Sequence, residues 1–340
     1  MPLLPVALRR LVAGAALVLL AAGSPAGADW YRDARNLMGT RITVEFWIES
    51  GMDARACGDA VMAEMRRIDA AMSPFRDDSE LSRVNREAAG RPVPVSDEFF
   101  KLLQRARRIS ELSGGAFDIT FASVGYLYDY RRHRQPSAQE ISQKLDRIDY
   151  RLVELDTGAR TVRFARTGVR IDLGGIAKGH AVDNGIRILR ECGVRSGLVT
   201  AGGDSRILGD RRGRPWMIGI RDPRQRDSVV VALPLSDTAV STSGDYERFF
   251  IANGERVHHI ITPGTGKSAR GVRSATVLGP DATTTDALST TVFVLGPQRG
   301  LALIDRLPGI DAVLIDAQGR MQYSSGLMPP VANPGKPARD

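Results

Sequence analysis

The spacing of Asp286 and Thr290 points to a site for a hard cation. The two residues lie four positions apart in residues 281–291, a segment of small and hydroxyl-bearing residues. In a helix they would share one face. A carboxylate and a hydroxyl, completed by backbone carbonyls and water, are ligands that suit Mg²⁺. Asp281, at the start of the segment, is better explained as a helix-capping residue.

A strand, two glycines and a helix are predicted in succession over residues 171–180 (IDLGGIAKGH). Gly174 and Gly175 allow a ligand to approach the backbone closely. The free N–H groups at a helix start suit an anion, and Lys178 adds a positive charge. The residue order matches neither a Walker A loop nor a dinucleotide-binding fingerprint. The segment therefore indicates an anion site, with a tight turn and a solvent-facing lysine as the alternative.

Two of the four histidines, His258 and His259, are adjacent and precede a turn rich in Gly and Pro. Neighbouring strand residues point to opposite faces, so at most one of them should face a site. A neutral imidazole there could serve as a general base. A zinc site has little support, because the chain has no H-x-x-x-H pair and no cysteine partner for it. Structural hydrogen bonding is the alternative for either histidine.

Three further segments are each open to two explanations. Residues 202–204 (GGD) follow a buried strand and could meet a ligand or simply turn the chain. Residues 113–120 (SGGAFDIT) place an aromatic ring and a carboxylate after a helix, where a helix C-cap and a core phenylalanine are the alternative. Residues 73–85 contain a polar loop that follows another helix. None of these segments specifies a ligand by itself.

The elements that must position these residues are helices and short strands without a regular βαβ order. Residues 40–48 alternate apolar and polar side chains, as a half-buried strand does. The predicted helices cover residues 53–72, 96–113 (capped by Ser96), 176–192 and 281–295. The predicted strands cover residues 40–48, 151–155, 161–165, 169–173, 197–201 and 273–279, with several in antiparallel order within 216–262. The fold class is therefore α+β, with largely antiparallel or mixed sheets and flanking helices.

The N-terminus has the pattern of an export signal. Arg9 and Arg10 precede an apolar run at residues 11–22, and residues 26–28 (AGA) form a small-x-small cleavage site. The run is short for a transmembrane helix, and we expect no later segment to span a bilayer. The pattern predicts a signal peptide at residues 1–28, a single mature region at 29–328 with room for two subdomains, and a loose Pro-rich tail at 329–340. The mature protein should be periplasmic, with no lipid anchor.

Charge and cysteine content add two expectations. The formal charge is +8, from 47 basic and 39 acidic residues. The basic residues are scattered, whereas a nucleic-acid binder would show a basic stripe with interleaved aromatics, so we expect no nucleic-acid partner. Cys57 and Cys192 are the only cysteines. Export would permit a disulfide between them. Because they lie on separate predicted helices, we expect two independent core residues instead.

Taken in order, these segments resemble the ApbE family of FAD:protein FMN transferases over residues 37–326. The resemblance is carried by eight pieces in register, and each piece alone is weak. They are 38–40 (MGT), 78–85 (DSELSRVN), 115–118 (GAFD), 172–179 (DLGGIAKG), 202–204 (GGD), 243–248 (SGDYER), 258–261 (HHII) and 286–290 with 295–296. The family likeness implies an ApbE-like, T-fold-like architecture, in which the mature region would surround an FAD cleft.

The resemblance also implies roles for individual residues. Asp286, Thr290 and the Gly175 carbonyl would bind Mg²⁺, and His259 would be the catalytic base. Relatives commonly have Asp where this chain has Thr262, and often Tyr where it has Phe75, so a stacking role for Phe75 remains but a hydroxyl contact does not. The residues expected to line the FAD site are Met38, Phe75, Ala116, Phe117, Asp118, Asp172, Lys178 and Ile260.

The implied reaction is transfer of FMN from FAD to a Thr or Ser hydroxyl of another protein, with release of AMP. The implied acceptor is a redox flavoprotein with an extracytoplasmic flavin-carrying domain. Two alternatives remain open at the level of sequence. Water as the acceptor would make the chain an FAD pyrophosphatase, and binding without cleavage would make it a non-enzymatic periplasmic flavin-binding protein.

Overall fold

The computed structural model describes residues 29–225 and 228–327, so the predicted signal peptide and the Pro-rich tail lie outside the described residues. An eight-stranded sheet, antiparallel throughout, forms the framework. Its strands, in spatial order, are β1 (Trp30–Leu37), β2 (Thr40–Trp47), β6 (Gly197–Ala201), β7 (Asp204–Leu208), β10 (Ala239–Gly244), β15 (Val272–Gly279), β16 (Asp311–Asp316) and β17 (Met321–Tyr323).

Smaller antiparallel units surround this sheet. A three-stranded sheet and three two-stranded hairpins account for the remaining strands of the described residues. They are β3 (Val93–Pro94), β4 (Val153–Asp156) and β5 (Thr161–Phe164), then β8 (Trp216–Arg221) with β9 (Val229–Leu235), β11 (Phe249–Ala252) with β12 (Glu255–His258), and β13 (Ile261–Thr262) with β14 (Lys267–Ser268).

Helices flank the sheets, which confirms the predicted α+β class. They are α1 (Ala54–Met72), α2 (Glu80–Glu87), α3 (Asp97–Leu112), α4 (Ala122–Gly125), α5 (Ala138–Ser142), α6 (Ala177–Glu191) and α7 (Ala282–Ile304), with single 3₁₀ turns at Ile119–Phe121, Leu145–Arg147, Tyr150–Leu152 and Ser325–Leu327. The Ser96 side chain caps α3 by accepting from the Phe99 N–H at 3.3 Å, as the sequence predicts.

The core lies between the large sheet and the helices α1, α6 and α7, which pack on one another and on the sheet. Ile42, Val44 and Phe46 of β2 are fully buried, in keeping with the predicted alternation in this strand. Their side chains share one face of the sheet because strand side chains alternate. This packing holds the helix starts that carry the candidate site against the sheet.

The predicted strand at residues 169–173 is wrong. The segment forms no regular element and pairs with no strand of the described residues. Instead, the Asn85 side chain satisfies the backbone of Ile171, accepting from its N–H at 2.8 Å and donating to its carbonyl at 2.9 Å. The Asp172 N–H donates to the Ile119 carbonyl at 2.9 Å. Side-chain hydrogen bonds therefore replace the ladder that the apolar pattern suggested.

The expectation that the two cysteines are independent is also wrong, because Cys57 and Cys192 form a disulfide. Helices α1 and α6 pack against each other in opposite directions, with Gly185 of α6 beside Val61 and Met65 of α1. This packing brings the two Cα atoms to 6.2 Å. Nothing in the sequence separates a facing pair of helical cysteines from two unrelated ones.

Helix α7 bears on the expectation that no segment after the signal peptide spans a bilayer. By length and composition it could cross a membrane, alone among the described helices, although half of it is buried inside the protein. It packs against β10, β15 and β16 of the large sheet. Gly296, with φ 79°, interrupts its helical geometry just before Pro297. Its apolar character therefore serves the core of the fold.

Candidate functional site

Helices α6 and α7 touch backbone to backbone at Gly179. A Cβ atom at this position would lie 2.1 Å from the Ala282 carbonyl oxygen and 2.9 Å from the Asp286 Cβ. Only glycine fits such an approach. The contact lets the Gly179 N–H donate to a carboxylate oxygen of Asp286 at 3.0 Å. The start of α6 and the first turns of α7 are thereby held in one fixed arrangement.

Lys178 lies beside two buried carboxylates at this crossing. Its Nζ is 2.6 Å from Asp204 Oδ2 and 3.4 Å from both Asp286 oxygens. Burial alone would lower the pKa of Lys178, but the charges of Asp204 and Asp286 outweigh it and raise the pKa. Burial, followed by the charge of Asp204, raises the pKa of Asp286. The lysine is therefore a fixed positive charge, while Asp286 is a carboxylate that a cation would help to ionise.

The residues predicted to bind a cation lie around Asp286. Thr290 is one helical turn further along α7, and its Oγ1 is 3.2 Å from Ser243 Oγ on β10. It is also 3.4 Å from the position that a Cβ on Gly175 would occupy. One carboxylate, hydroxyls and a nearby backbone carbonyl are the oxygen donors that suit Mg²⁺. Within residues 29–225 and 228–327 no cluster of three or more His, Cys, Asp or Glu side chains could hold a metal ion. The candidate ligands Asp286, Thr290 and Gly175 do not form such a cluster, because only Asp286 belongs to these residue types.

The start of α7 is held by capping residues. The Asp281 carboxylate accepts from the Thr284 N–H at 2.8 Å, which supports the capping explanation for this residue. Asp183 of α6 accepts from the Ala282 and Thr283 N–H groups, both at 2.9 Å. Arg206 pairs with Asp183 at 3.1 Å. These contacts satisfy the free N–H groups of the helix start and fix its distance from α6.

The two adjacent histidines have different environments. Buried His258 places Nε2 2.9 Å from the Ala269 carbonyl oxygen and packs edge-on against Phe293. His259 is half-buried, and its buried Nδ1 has no hydrogen-bond partner among the described residues. Burial lowers the pKa of His259 to about 3, and the positive charges of Arg248 and Lys178 act in the same direction. His259 is therefore a neutral imidazole with a free nitrogen at neutral pH, while His258 has a structural role.

Arg248 lies on the same side as His259 and was not among the predicted site residues. The His259 N–H donates to the Arg248 carbonyl at 3.2 Å, directly beyond the last pair of the β11–β12 hairpin, Phe249 with His258. The Arg248 Nη2 packs on the turn between β1 and β2, 3.2 Å from the position of a Cβ on Gly39. That turn needs positive φ at both Met38 (54°) and Gly39 (69°), which is typical of a tight hairpin.

The remaining residues expected at the FAD site fall into three groups. Met38, Ala116 and Asp172 are half-buried, and Phe117 is buried 3.3 Å from the position of a Cβ on Gly175, so its ring lies beside the candidate cation site. Burial raises the pKa of Asp172, and the charges of Arg248 and Lys178 oppose that rise, which places this carboxylate near both cations. Phe75 is 85% exposed, as an unpaired stacking surface would be, whereas Ile260 is buried in the core.

Asp118 has a structural role in addition to any contact with FAD. One carboxylate oxygen accepts from the Thr120 N–H at 2.8 Å and from the Thr120 hydroxyl, and the other accepts from the Tyr150 N–H at 2.8 Å. Burial raises the pKa of Asp118, and these hydrogen bonds oppose the rise. The carboxylate therefore ties the loop after α3 to the segment before β4.

Sequence reasoning missed Gly179, Asp204 and Arg248 as members of the site. Asp204 follows two glycines in a corner that the sequence explains equally as a ligand contact or as a turn. In the structure a Cβ on Gly203 would lie 2.6 Å from the Thr242 carbonyl oxygen, so the corner is packed tightly against β10. The available signal was the repeated pairing of glycines with a charged residue, at 174–178 and at 202–204.

Comparisons with known proteins identify the family and the fold. The model of the ApbE family matches residues 38–314. The FAD:protein FMN transferase of Treponema pallidum is 34% identical over 327 residues, covering 90% of each chain. The ApbE protein of Thermotoga maritima superposes with a TM-score of 0.82 at 35% identity, covering 88% of this chain and 98% of that one. The flavin transferase ApbE from Vibrio cholerae superposes with a TM-score of 0.79 at 28% identity, with the same coverage.

Proposed function

The chain belongs to the ApbE family, and we propose that this flavin transferase moves FMN from FAD to a Thr or Ser hydroxyl of a target flavoprotein, with Mg²⁺ and release of AMP. The observation that carries the proposal is the crossing of α6 and α7. It places Lys178 and Asp286 side by side, with Thr290 and Gly175 next to them. A pyrophosphate needs such a combination of fixed positive charge and hard-cation ligands.

Asp286, Thr290 and the Gly175 carbonyl would hold the Mg²⁺. When bound, the ion neutralises charge on the FAD pyrophosphate. Lys178 is held in place by Asp204 and adds a positive charge from the start of α6. Because the Gly179 contact fixes both helices, these groups need little reorganisation when FAD binds.

His259 would act on the acceptor hydroxyl. The hydroxyl oxygen forms a bond to the FMN-side phosphorus of FAD, while the bond from that phosphorus to the AMP phosphate oxygen breaks and AMP leaves with the electron pair. The hydroxyl proton goes to a nitrogen of His259, which is neutral because burial lowers its pKa. The neutral imidazole supports this role, since a base needs an unprotonated nitrogen. Met38, Phe75, Ala116, Phe117, Asp118, Asp172 and Ile260 would surround the rest of FAD.

We also propose that the chain is exported, with residues 1–28 removed, and that residues 29–328 form one transferase region acting on an extracytoplasmic redox flavoprotein. The Cys57–Cys192 disulfide supports this location, because disulfides persist in oxidising compartments and are rare in the cytosol.

The test mixes the mature protein with FAD and a flavin-carrier domain, with and without Mg²⁺. A covalently fluorescent carrier band on a denaturing gel, with an equal amount of AMP and both dependent on Mg²⁺, is the expected result. AMP and free FMN with no labelled band, for several carriers, would replace the proposal with an FAD pyrophosphatase. Bound FAD that is never cleaved would replace it with a flavin-binding protein.

A further inference from the structure

The two positively charged side chains of the site, Lys178 and Arg248, differ in whether they already form ion pairs. Lys178 is already shared between Asp204 and Asp286. The Arg248 side chain is exposed, and its guanidinium makes no ion pair or hydrogen bond with the parts of the chain that the structure describes. Most other arginines near the hairpin are paired, as Arg224 is with Asp245 at 2.7 Å. Arg248 therefore keeps its full hydrogen-bonding capacity for a ligand.

The register of the hairpin places Arg248 on the side of His259. Phe249 pairs with His258, and the next pair outward is Arg248 with His259. Residues directly opposite one another in an antiparallel pair project to the same face. The guanidinium therefore projects to the same face as the imidazole, and the β1–β2 turn at Gly39 packs against it. The positive charge of Arg248 and the imidazole of His259 therefore lie together at the rim of the site, which the β11–β12 hairpin forms.

An anionic ligand would enter a site where carboxylates outnumber positive side chains. Three carboxylates, Asp172, Asp204 and Asp286, face two positive side chains, Lys178 and Arg248. A pyrophosphate entering beside them adds further negative charge. A guanidinium binds phosphate oxygens in a bidentate fashion and stays ionised at every relevant pH. On the proposed function, Arg248 is the group best able to accept that charge without first losing a partner.

We infer that Arg248 is a catalytic residue that binds the pyrophosphate of FAD, next to His259 and opposite the cation ligands. Its guanidinium donates to non-bridging phosphate oxygens, both in the bound substrate and as the bond to AMP breaks. The β1–β2 turn at Met38 and Gly39 supports the side chain from behind. The pyrophosphate is then held between Arg248 on the hairpin and the α6–α7 crossing.

The test uses the mature protein with Mg²⁺ and compares Arg248→Gln, Arg248→Lys and the control Arg270→Gln. Arg270 is also exposed and pairs with Glu255, at the far end of the hairpin. FAD binding should weaken about 10–100-fold in Arg248→Gln, as expected for charged hydrogen bonds. FAD binding should weaken less in Arg248→Lys, because lysine keeps the charge but cannot form a bidentate hydrogen bond. It should not weaken in Arg270→Gln.

A second measurement separates phosphate binding from a structural role. FAD affinity of the wild type should fall with added salt, and the slope of that fall should become shallower in Arg248→Gln because one charge contact is missing. An unchanged slope, or FAD affinity within twofold of the wild type, would overturn the inference. If the wild type binds FAD but forms neither labelled carrier nor AMP, the proposed transferase fails, while the binding data still decide the role of Arg248.

Discussion

The α6–α7 crossing and the rim formed by the β11–β12 hairpin differ in how their polar groups are used. At the crossing, Lys178 donates to both Asp204 and Asp286, and Asp286 also accepts from the Gly179 N–H. At the rim, Arg248 and His259 each retain an unpaired polar group among the described residues. A closed network suits a site that must be rigid before its ligand arrives, and spare donors and acceptors suit direct contact with substrate.

The largest effect should come from breaking the crossing at Asp286. Asp286→Ala should lower the rate of FMN transfer more than about 10³-fold at ordinary Mg²⁺, because losing one positioned donor alone costs about 10²–10³. The measurement is the rate of carrier labelling across a Mg²⁺ titration. Asp281→Asn is the matched control, since asparagine also caps a helix and should keep activity. A wild-type rate in Asp286→Ala would contradict the ligand assignment.

A smaller loss is expected at the rim. His259→Gln should lower the transfer rate about 10²–10⁴-fold, the usual contribution of a general base, while leaving FAD binding nearly unchanged. Carrier labelling and FAD binding, measured on the same preparation, distinguish a loss of transfer rate from a loss of substrate binding. Because the crossing would remain intact, Mg²⁺ dependence should be retained. A variant that loses FAD binding as well would mean that the imidazole is part of the substrate pocket and not the base.

The rigidity of the crossing can be tested without touching a charged group. Gly179→Ala forces a Cβ against the Ala282 carbonyl, so the two helices must move apart. Overpacking of this kind costs about 1–3 kcal/mol of stability, and a displacement near 1 Å costs about 10²-fold in rate. Thermal unfolding and labelling rate should both fall. Gly90→Ala is the control, because a Cβ there would lie 3.7 Å from the Glu87 carbonyl oxygen, an ordinary contact, and neither glycine has a positive φ. Equal effects in both variants would remove the special role of the crossing.

The smallest effect concerns pH. The pKa of His259 in the folded protein is about 3, well below the ~6.5 of an ordinary histidine. Between those values the unfolded chain binds more protons than the folded one, so the free energy of unfolding should fall as pH drops below about 6.5. In the His259→Gln variant, the free energy of unfolding should fall less steeply over the same pH range. The comparison needs denaturation midpoints at pH 7 and pH 5, and parallel curves for the two proteins would show that His259 is not buried as a neutral base.

The difference between the two regions also marks what the sequence could predict. Spacing alone placed Asp286 and Thr290 on one helical face, and the two adjacent histidines on opposite sides of a strand. The α+β class and the caps at Ser96 and Asp281 followed from local patterns. Such features depend on residues within a few positions of one another, and local physics is sufficient for them.

Features that depend on tertiary approach were missed. The backbone contact at Gly179, the pairing of Cys57 with Cys192 and the position of Arg248 over Gly39 all join residues far apart in sequence. The false strand at residues 169–173 has the same origin, since its backbone partner is the side chain of Asn85. An apolar, extended segment is recognisable from sequence, but the group that satisfies its N–H and carbonyl groups is not.

The disulfide also simplifies how the protein can mature. Its two cysteines are 135 residues apart, and the chain contains no others. Two thiols in one chain allow a single intramolecular pairing, so oxidation has no incorrect isomer to reshuffle. Formation of this disulfide therefore requires a thiol oxidant but no disulfide isomerase, and the only wrong partner available to Cys57 is a thiol of another molecule.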